Sequence, residues 1–80
     1  MMAEHKIIEY GTEMCPWCKR AKEFFEENKI KYKYIDVGKD REAAMKMIEK
    51  TGQRGVPVIE IDGEFIIGFN EKKIREKLGL

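Results

Sequence analysis

The sequence predicts an α/β domain with a mixed four-stranded sheet and helices on both of its faces. Strand-like and helix-like segments follow one another in the order β-α-β-α-β-β-α, and the last two strands are separated by Asp62-Gly63, a two-residue hairpin signal. The first β-α-β unit should be a right-handed parallel crossover, whereas the closing hairpin must be antiparallel. Eighty residues suffice for one domain, which we expect to span residues 1–80.

The first half of the chain predicts two strands joined by a helix. Residues 6–10 are a short apolar-rich run closed by Gly11, which is typical of a strand. Residues 16–29 predict a helix, since Pro16 suits a first helical turn and the apolar residues share one face. Those apolar residues are Trp17, Ala21, Phe24 and Phe25. Residues 30–37 alternate and are rich in β-forming residues, so they predict the second strand.

A second helix is predicted over residues 40–51, with Asp40 as its N-cap and Gly52 as its end. We expect Ala44, Met45 and Ile48 to form its buried stripe. We also interpret the methionines, together with Phe24, Phe25 and Phe65, as core residues.

The last part of the chain predicts strands over residues 56–61 and 64–67 and then a final helix over residues 70–78. Asn70 is suited to cap this helix, and Gly79 is suited to end it. Phe69, just before the cap, can pack against Ile74 as a hydrophobic staple.

Composition excludes some classes of function. The chain has 16 basic and 15 acidic residues, and its net charge is +1, which argues against an electrostatic nucleic-acid binder. The N-terminal residues contain no long apolar run, so we expect no signal peptide and no membrane contact. We therefore expect a cytoplasmic protein in a reducing compartment, where a lone disulfide is transient or catalytic rather than structural.

The two cysteines, Cys15 and Cys18, admit three interpretations. A structural zinc site usually takes four Cys or His ligands, and the chain adds only His5, which we interpret as an incidental surface residue. Two chains could still pool their cysteines around a metal or cluster. A structural disulfide across so short a loop would remove little unfolded-state entropy. The third interpretation is a reactive dithiol.

The position of the pair favours the reactive dithiol. Cys15 falls at the threshold of the first predicted helix, where free backbone N–H groups and the positive end of the dipole stabilise a thiolate. Cys18 follows one helical turn later, so the two sulfurs can meet on one face. A C-x-x-C pair that follows a strand and opens a helix inside a β-α-β unit indicates redox chemistry strongly.

The charges of this helix run against the dipole. The bases Lys19, Arg20 and Lys22 come first, and the acids Glu23, Glu26 and Glu27 come later. Our hypothesis is that the cations help hold Cys15 as a thiolate. The alternative is a solvated charge stripe without a catalytic role.

The stretches CPWC, GVPVI and IIGF, spread over the whole chain, resemble the glutaredoxin family. The segment TGQRGVPVIEIDGEFIIGF is similar to small YruB-like glutaredoxins and to the NrdH-type redoxins. The resemblance implies a thioredoxin fold with sheet order 2-1-3-4. It also implies that Cys15 attacks and Cys18 resolves, with Pro16 and Trp17 beside the site and Pro57 as a cis-proline facing the dithiol. Val56, before that proline, can pair its backbone with an incoming peptide.

The resemblance also suggests where glutathione would bind. Arg54 matches a position that often binds the glycyl carboxylate, although an exposed loop arginine without a ligand is an alternative. Gly68, Phe69 and Asn70 match the segment that holds the γ-glutamyl end, but Phe69 stands where glutaredoxins commonly have a second Gly. NrdH-type redoxins share this departure and take electrons from thioredoxin reductase.

We therefore expect a thiol–disulfide oxidoreductase, acting as a monomer on disulfide-containing proteins and reduced by thioredoxin reductase. The alternatives are a glutathione-coupled glutaredoxin and, in a different class, an iron–sulfur cluster carrier. Pro16 argues against the carrier, since cluster-binding relatives usually lack proline there. We expect no bound cofactor beyond the Cys15–Cys18 disulfide, with glutathione as a candidate co-substrate.

Overall fold

A computed structural model describes residues 5–80 as a four-stranded sheet of order β2-β1-β3-β4 with three helices, which confirms the expected fold. Within these residues no helix is long and apolar enough to cross a bilayer. In chain order the elements are β1 (Ile7–Gly11), α1 (Pro16–Glu27), β2 (Lys33–Asp36), α2 (Arg41–Thr51), β3 (Val58–Ile61), β4 (Glu64–Ile67) and α3 (Glu71–Leu78).

Strand β1 lies at the centre of the sheet and determines where the loops meet. It pairs in parallel with β2 and antiparallel with β3, and β3 pairs antiparallel with β4. Tyr10, near the end of β1, lies opposite Val58, the first residue of β3. The loop that leaves β1 with the cysteines therefore lies beside the segment that enters β3 with Pro57.

Two apolar clusters hold the helices on opposite faces of the sheet. The cluster beneath α1 and α3 combines buried residues of both helices with residues of β1, β3 and β4: Ile7, Ala21, Phe24, Phe25, Ile59, Ile61, Ile66 and Ile74. The cluster beneath α2 is built around Ile8, Tyr10, Met47 and Val58. Phe24 and Phe25 are core residues as predicted, and Phe65 is a half-buried residue against the second cluster.

The predicted helix caps are confirmed. The Asp40 side chain accepts the Ala43 N–H at 3.0 Å, and the Asn70 side chain accepts the Lys73 N–H at 3.2 Å. Gly52 ends α2 in the left-handed conformation with a φ of 72°, as Gly79 does for α3. Phe69 packs against the cluster that contains Ile74. Strands β2 and β3 are shorter than predicted.

Two core assignments are wrong. Met45 is 65 % exposed, and Met47, 2 % exposed, supplies the buried methionine of α2. Met47 lies one turn from Ala43 on the face toward the sheet, and Met45 points away from that face. Met14 is exposed before α1. Trp17, which was expected beside the site, is 61 % exposed, because Cys18 takes the position of the first turn that faces β1. Met1 and Met2 lie outside the described residues.

His5 has a partner, contrary to our expectation of an incidental surface residue. Its Nδ1 lies 2.7 Å from an oxygen of the Asp62 carboxylate, whose other oxygen accepts the Lys6 N–H at 2.8 Å. These hydrogen bonds lower the pKa of Asp62. Asp62 is the first residue of the β3–β4 turn and has a φ of 51°, so the contact ties this turn to the start of β1.

The two α2 methionines provide a matched test of the packing. We expect Met47→Ala to lower the free energy of unfolding by about 2–5 kcal/mol, because it leaves a cavity in the second cluster. Met45→Ala should change it by less than about 0.5 kcal/mol, since that side chain is exposed. Urea unfolding of both variants measures the difference, and equal effects would contradict the placement of α2.

Candidate active site

Cys15 is the N-cap residue of α1. Its backbone is extended, with φ −97° and ψ 111°, and its Sγ accepts the Cys18 N–H at 3.1 Å. A sulfur in this position receives an orphan N–H of the first helical turn and faces the positive end of the helix dipole, and both favour a thiolate. The Cys15 thiol also lies 3.8 Å from the Val56 carbonyl oxygen.

Cys18 is the buried member of the pair, with 1 % of its surface exposed. It packs directly on the backbone of Gly11. A Cβ added to Gly11 would lie 2.8 Å from the Cys18 Sγ and 3.1 Å from Cε2 of Tyr34, so a side chain has no room there. The absence of a side chain at Gly11 lets α1 approach the end of β1.

The surroundings make the two free thiols unequal. Burial, together with a hydrogen bond to Cys15, raises the pKa of Cys18 to about 12, although a backbone hydrogen bond from Thr12 acts in the opposite direction. Cys15 is partly exposed and is held at the helix N-terminus. An approaching disulfide therefore meets Cys15 first, and Cys18 is reached only from within the protein.

Pro57 completes the wall opposite the dithiol. The Val56-Pro57 peptide bond is cis, as the resemblance implied, and Pro57 is buried. The Pro57 carbonyl accepts the Gly68 N–H at 2.8 Å, which fixes the end of β4 against this loop. Because Val56 contacts the Cys15 thiol, the cis-proline segment and the dithiol share one site.

An open groove of about 270 Å³ lies next to this segment. Its walls combine apolar side chains with polar atoms, and they are formed by Trp17, Val56, Pro57, Gly68 and Phe69. The Phe69 ring packs edge-to-face on Phe24 of the core, with centroids 5.6 Å apart, and lies 6.4 Å from the ring of Trp17. The exposed Trp17 is thus one wall of the groove, on top of a half-buried Phe69.

Only some of the residues predicted to bind glutathione lie at the groove. Arg54 is exposed on the loop before Pro57 and is not among the residues that line the groove. Gly68, in the left-handed conformation with a φ of 79°, and Phe69 do line it. The Asn70 side chain caps α3, and the Glu71 carboxylate of the first turn accepts the Arg75 Nε–H at 2.9 Å.

Two of the three cations of α1 have partners other than Cys15. The Lys22 ammonium lies 3.5 Å from the centroid of the Tyr34 ring, and Arg20 is 4.0 Å from Glu23. Lys19 is exposed in the first turns of the helix. The hypothesis that cations stabilise a Cys15 thiolate stays a prediction, now centred on Lys19.

Glu9 is a residue that the sequence interpretation missed. It lies in β1 with 0 % of its surface exposed, and neither carboxylate oxygen has a hydrogen-bond partner among residues 5–80. Burial raises the pKa of Glu9 from 4.5 to about 7, and Lys22 offsets this in part. In the sequence, the one feature that indicates its burial is its position as a single acid inside the apolar run Ile7-Ile8-Glu9-Tyr10.

Residues 5–80 contain no group of three or more His, Cys, Asp or Glu side chains that could hold a metal ion. The fold and the cysteine pair define the class of thiol–disulfide oxidoreductases.

Comparison with known proteins identifies the family. The glutaredoxin family model matches residues 7–66, and the chain belongs to the glutaredoxin family. A glutaredoxin-like protein of the rubredoxin operon of Clostridium pasteurianum is 42 % identical over 65 residues, which is 81 % of this chain and 87 % of the relative.

Solved structures agree with this assignment. Methanoredoxin of Methanosarcina acetivorans superposes with a TM-score of 0.86 at 30 % identity, covering 94 % of this chain and 85 % of the other. A buckwheat glutaredoxin in complex with glutathione superposes with a TM-score of 0.76 at 28 % identity, covering 94 % and 74 %.

The contact between Cys18 and Gly11 can be tested by a double-mutant cycle. Gly11→Ala should lower the free energy of unfolding by about 1–3 kcal/mol, because its methyl group overlaps the Cys18 side chain. In a Cys18→Ala background the loss should be smaller, since the sulfur is gone. Denaturant unfolding of the four proteins measures the coupling, and additive effects would contradict this packing.

The buried carboxyl of Glu9 should make stability depend on pH. Its pKa is higher in the folded protein, at about 7, than the ordinary value of 4.5. The folded state therefore binds the proton more tightly, and stability falls as the pH rises between these values. At about 1.4 kcal/mol per pH unit, Glu9→Gln should gain on the order of 3 kcal/mol relative to wild type across this range. Chemical unfolding at several pH values measures this gain.

Glu27→Gln, which removes an exposed acid of α1, controls for the change in net charge. A stability difference between wild type and Glu9→Gln that stays constant with pH would show that Glu9 does not change ionisation on folding.

Proposed function

We propose that the protein reduces disulfides of other proteins by dithiol exchange through Cys15 and Cys18. The Cys15 thiolate attacks one sulfur of the substrate disulfide, which forms a mixed disulfide and releases the first substrate thiolate. Cys18 then attacks the Cys15 sulfur, breaks the mixed disulfide and releases the second substrate thiolate. The substrate gains two electrons, and the protein leaves with a Cys15–Cys18 disulfide. The placement of the two thiols, one at the helix N-terminus and one buried behind it, carries the proposal.

We further propose that residues 1–80 form one redox domain that acts as a monomer in the reducing cytosol, where the disulfide is recycled. The cis-proline segment and the apolar groove beside it would receive the substrate peptide, with Val56 offering its backbone. Trp17 and Phe69 would contact apolar side chains next to the substrate cysteine.

For the electron donor we propose a thioredoxin-reductase-type flavoprotein rather than glutathione. Glutathione carries two carboxylates, and the residues that line the groove next to Cys15 include no charged side chain that could pair with them. The N-terminus of α3 is already capped by Asn70, whose side chain accepts the Lys73 N–H at 3.2 Å. A glutathione carboxylate placed there would compete with the Asn70 side chain for the free N–H groups.

A glutathione-coupled activity is the second candidate. The structural similarity to a buckwheat glutaredoxin that was solved with glutathione favours it. Arg54 is exposed on the loop before Pro57, where its guanidinium could bind a carboxylate. In this case Cys15 alone would remove glutathione from proteins. An iron–sulfur cluster bridging two chains through Cys15 is a third alternative, and colour after anaerobic reconstitution with iron and sulfide would support it.

The two donors can be compared in one assay of NADPH oxidation with a disulfide substrate. We expect turnover with thioredoxin reductase to exceed turnover with glutathione and glutathione reductase by more than about tenfold, or roughly 1.4 kcal/mol. Cys15→Ser should abolish both activities. Cys18→Ser should abolish the reductase-coupled activity, because the protein can no longer form its internal disulfide.

Phe69→Gly provides the matched test of the groove. It restores the glycine common among glutaredoxins and removes the apolar wall, so the glutathione-coupled rate should rise relative to wild type. Two results together would reverse the assignment of the donor. They are glutathione-coupled turnover by the Cys18→Ser variant and no turnover by the wild-type protein with thioredoxin reductase.

A further inference from the structure

Glu9 lies on the same face of the sheet as the resolving cysteine. Side chains two residues apart on a strand point to the same face, so Glu9 and Gly11 both face α1. Cys18 packs on Gly11, and Glu9 occupies the next position on that face, about 7 Å along the strand. A carboxyl group therefore lies on the same face of β1 as the buried thiol, and its charge acts on Cys18 although no hydrogen bond joins the two groups in the reduced protein.

Among residues 5–80, the groups around Glu9 leave its carboxyl group without a hydrogen-bond partner. The titratable groups that interact with it are Cys18, Lys22 and Glu26 from α1, and Tyr32 and Tyr34 from β2 and the segment before it. Strand β3 places Ile59 opposite Glu9, and Arg75 and Glu71 of α3 pair with each other. The Lys22 ammonium lies over the Tyr34 ring rather than in a hydrogen bond to Glu9.

The other buried acid, Glu60, shows how a structural carboxylate is satisfied in this fold. It accepts the Tyr10 hydroxyl at 2.7 Å and lies 3.9 Å from the Lys46 ammonium, on the opposite face of the sheet. Among the described residues, the Glu9 carboxyl group accepts no hydrogen bond. The buried hydroxyl of Tyr34, on the neighbouring strand, also has no hydrogen-bond partner there. Buried polar groups without partners are uncommon and often have a functional role.

We propose that Glu9 exchanges a proton with Cys18 during the dithiol cycle. The inference rests on the proposed function, since it concerns the second step of that cycle. Cys18 must lose its proton before it can attack the Cys15 sulfur, and it is shielded from solvent bases. The Glu9 carboxylate accepts this proton and becomes a neutral carboxylic acid, and the resulting Cys18 thiolate breaks the mixed disulfide. When the Cys15–Cys18 disulfide is reduced again, the proton returns from Glu9 to Cys18.

The ionisation of Glu9 suits this role near neutral pH. With its pKa raised to about 7 by burial, the carboxyl is partly ionised there and can both take and release a proton. The second step should accelerate as the pH rises through this value and then level off, because only the ionised carboxylate accepts a proton. The first step, attack by Cys15, does not involve Glu9.

The two steps can be separated with dithiobis(nitrobenzoic acid), a chromogenic disulfide. Attack by Cys15 releases one coloured thiolate, and attack by Cys18 on the resulting mixed disulfide releases the second. Stopped-flow absorbance therefore records two phases. We expect Glu9→Gln to slow the second phase by about 10²-fold above pH 7 and to slow it less at lower pH. Glu9→Asp, which keeps a carboxylate, should restore part of the rate.

Two controls make the result specific. Glu60→Gln removes the other buried acid and should leave both phases unchanged. In a Cys18→Ser background, which has only the first phase, Glu9→Gln should have no effect. An equal second phase in wild type and Glu9→Gln at every pH would overturn the inference, as would slowing of the first phase in the Cys18→Ser background. Absence of a second phase from the wild type would instead overturn the dithiol cycle itself.

A second measurement follows the ionisation of Glu9 in the wild-type protein. The carboxyl carbon of Glu9 can be followed by NMR as a function of pH in the reduced protein and in the Cys15–Cys18 disulfide form, with Glu9→Gln used only to assign the signal. We expect its titration midpoint to shift between the two forms, because the charge it senses at the dithiol changes. A midpoint that is identical in both forms would show that Glu9 and the dithiol do not share protons.

Discussion

The fold and the site both depend on the contact between the Cys18 side chain and the backbone of Gly11. This contact allows the first turn of α1 to lie against the end of β1. With Cys18 held there, Cys15 is the residue at the helix threshold, and its sulfur receives a backbone N–H of the first turn. The contact thus places one thiol where a substrate can reach it and the other where only Cys15 can.

The parallel and antiparallel pairings of β1 bring the remaining parts of the site to this end of the sheet. Because β3 runs antiparallel to β1, the residues before Val58 lie beside the residues after Tyr10. That is why the cis-proline segment, forty residues away in sequence, faces the dithiol. Gly68 and Phe69, which follow strand β4, form the other side of the groove. The hydrogen bond from the Gly68 N–H to the Pro57 carbonyl holds them against the cis-proline segment. A local C-x-x-C motif becomes a site only through these long-range strand pairings.

The sequence predicted the features that depend on local physics and missed several that depend on tertiary geometry. The order of the elements and the caps at Asp40, Gly52, Asn70 and Gly79 are confirmed, because a cap is determined by a few neighbouring residues. Periodicity identified helical faces but could not say which residues meet the sheet, so the predicted buried stripe of α2 contained Met45 instead of Met47. The cis bond before Pro57 came from family resemblance, since X–Pro bonds in folded proteins are cis in only about 5–6 % of cases.

Glu9 was missed for a related reason, and its position is informative. A single acid in a strand suggests a solvent-facing residue, and only the packing of α1 shows that this one is buried.

A carboxyl group without hydrogen bonds opposes folding at neutral pH, whereas an apolar side chain would stabilise the same position. The same helix–strand pair contains a second departure from what favours stability, since α1 begins with bases and ends with acids. Two local departures around one pair of thiols are what a site under functional constraint would produce. Both departures concern charged residues near the reactive pair: the bases in the first turns of α1 and the buried acid of β1.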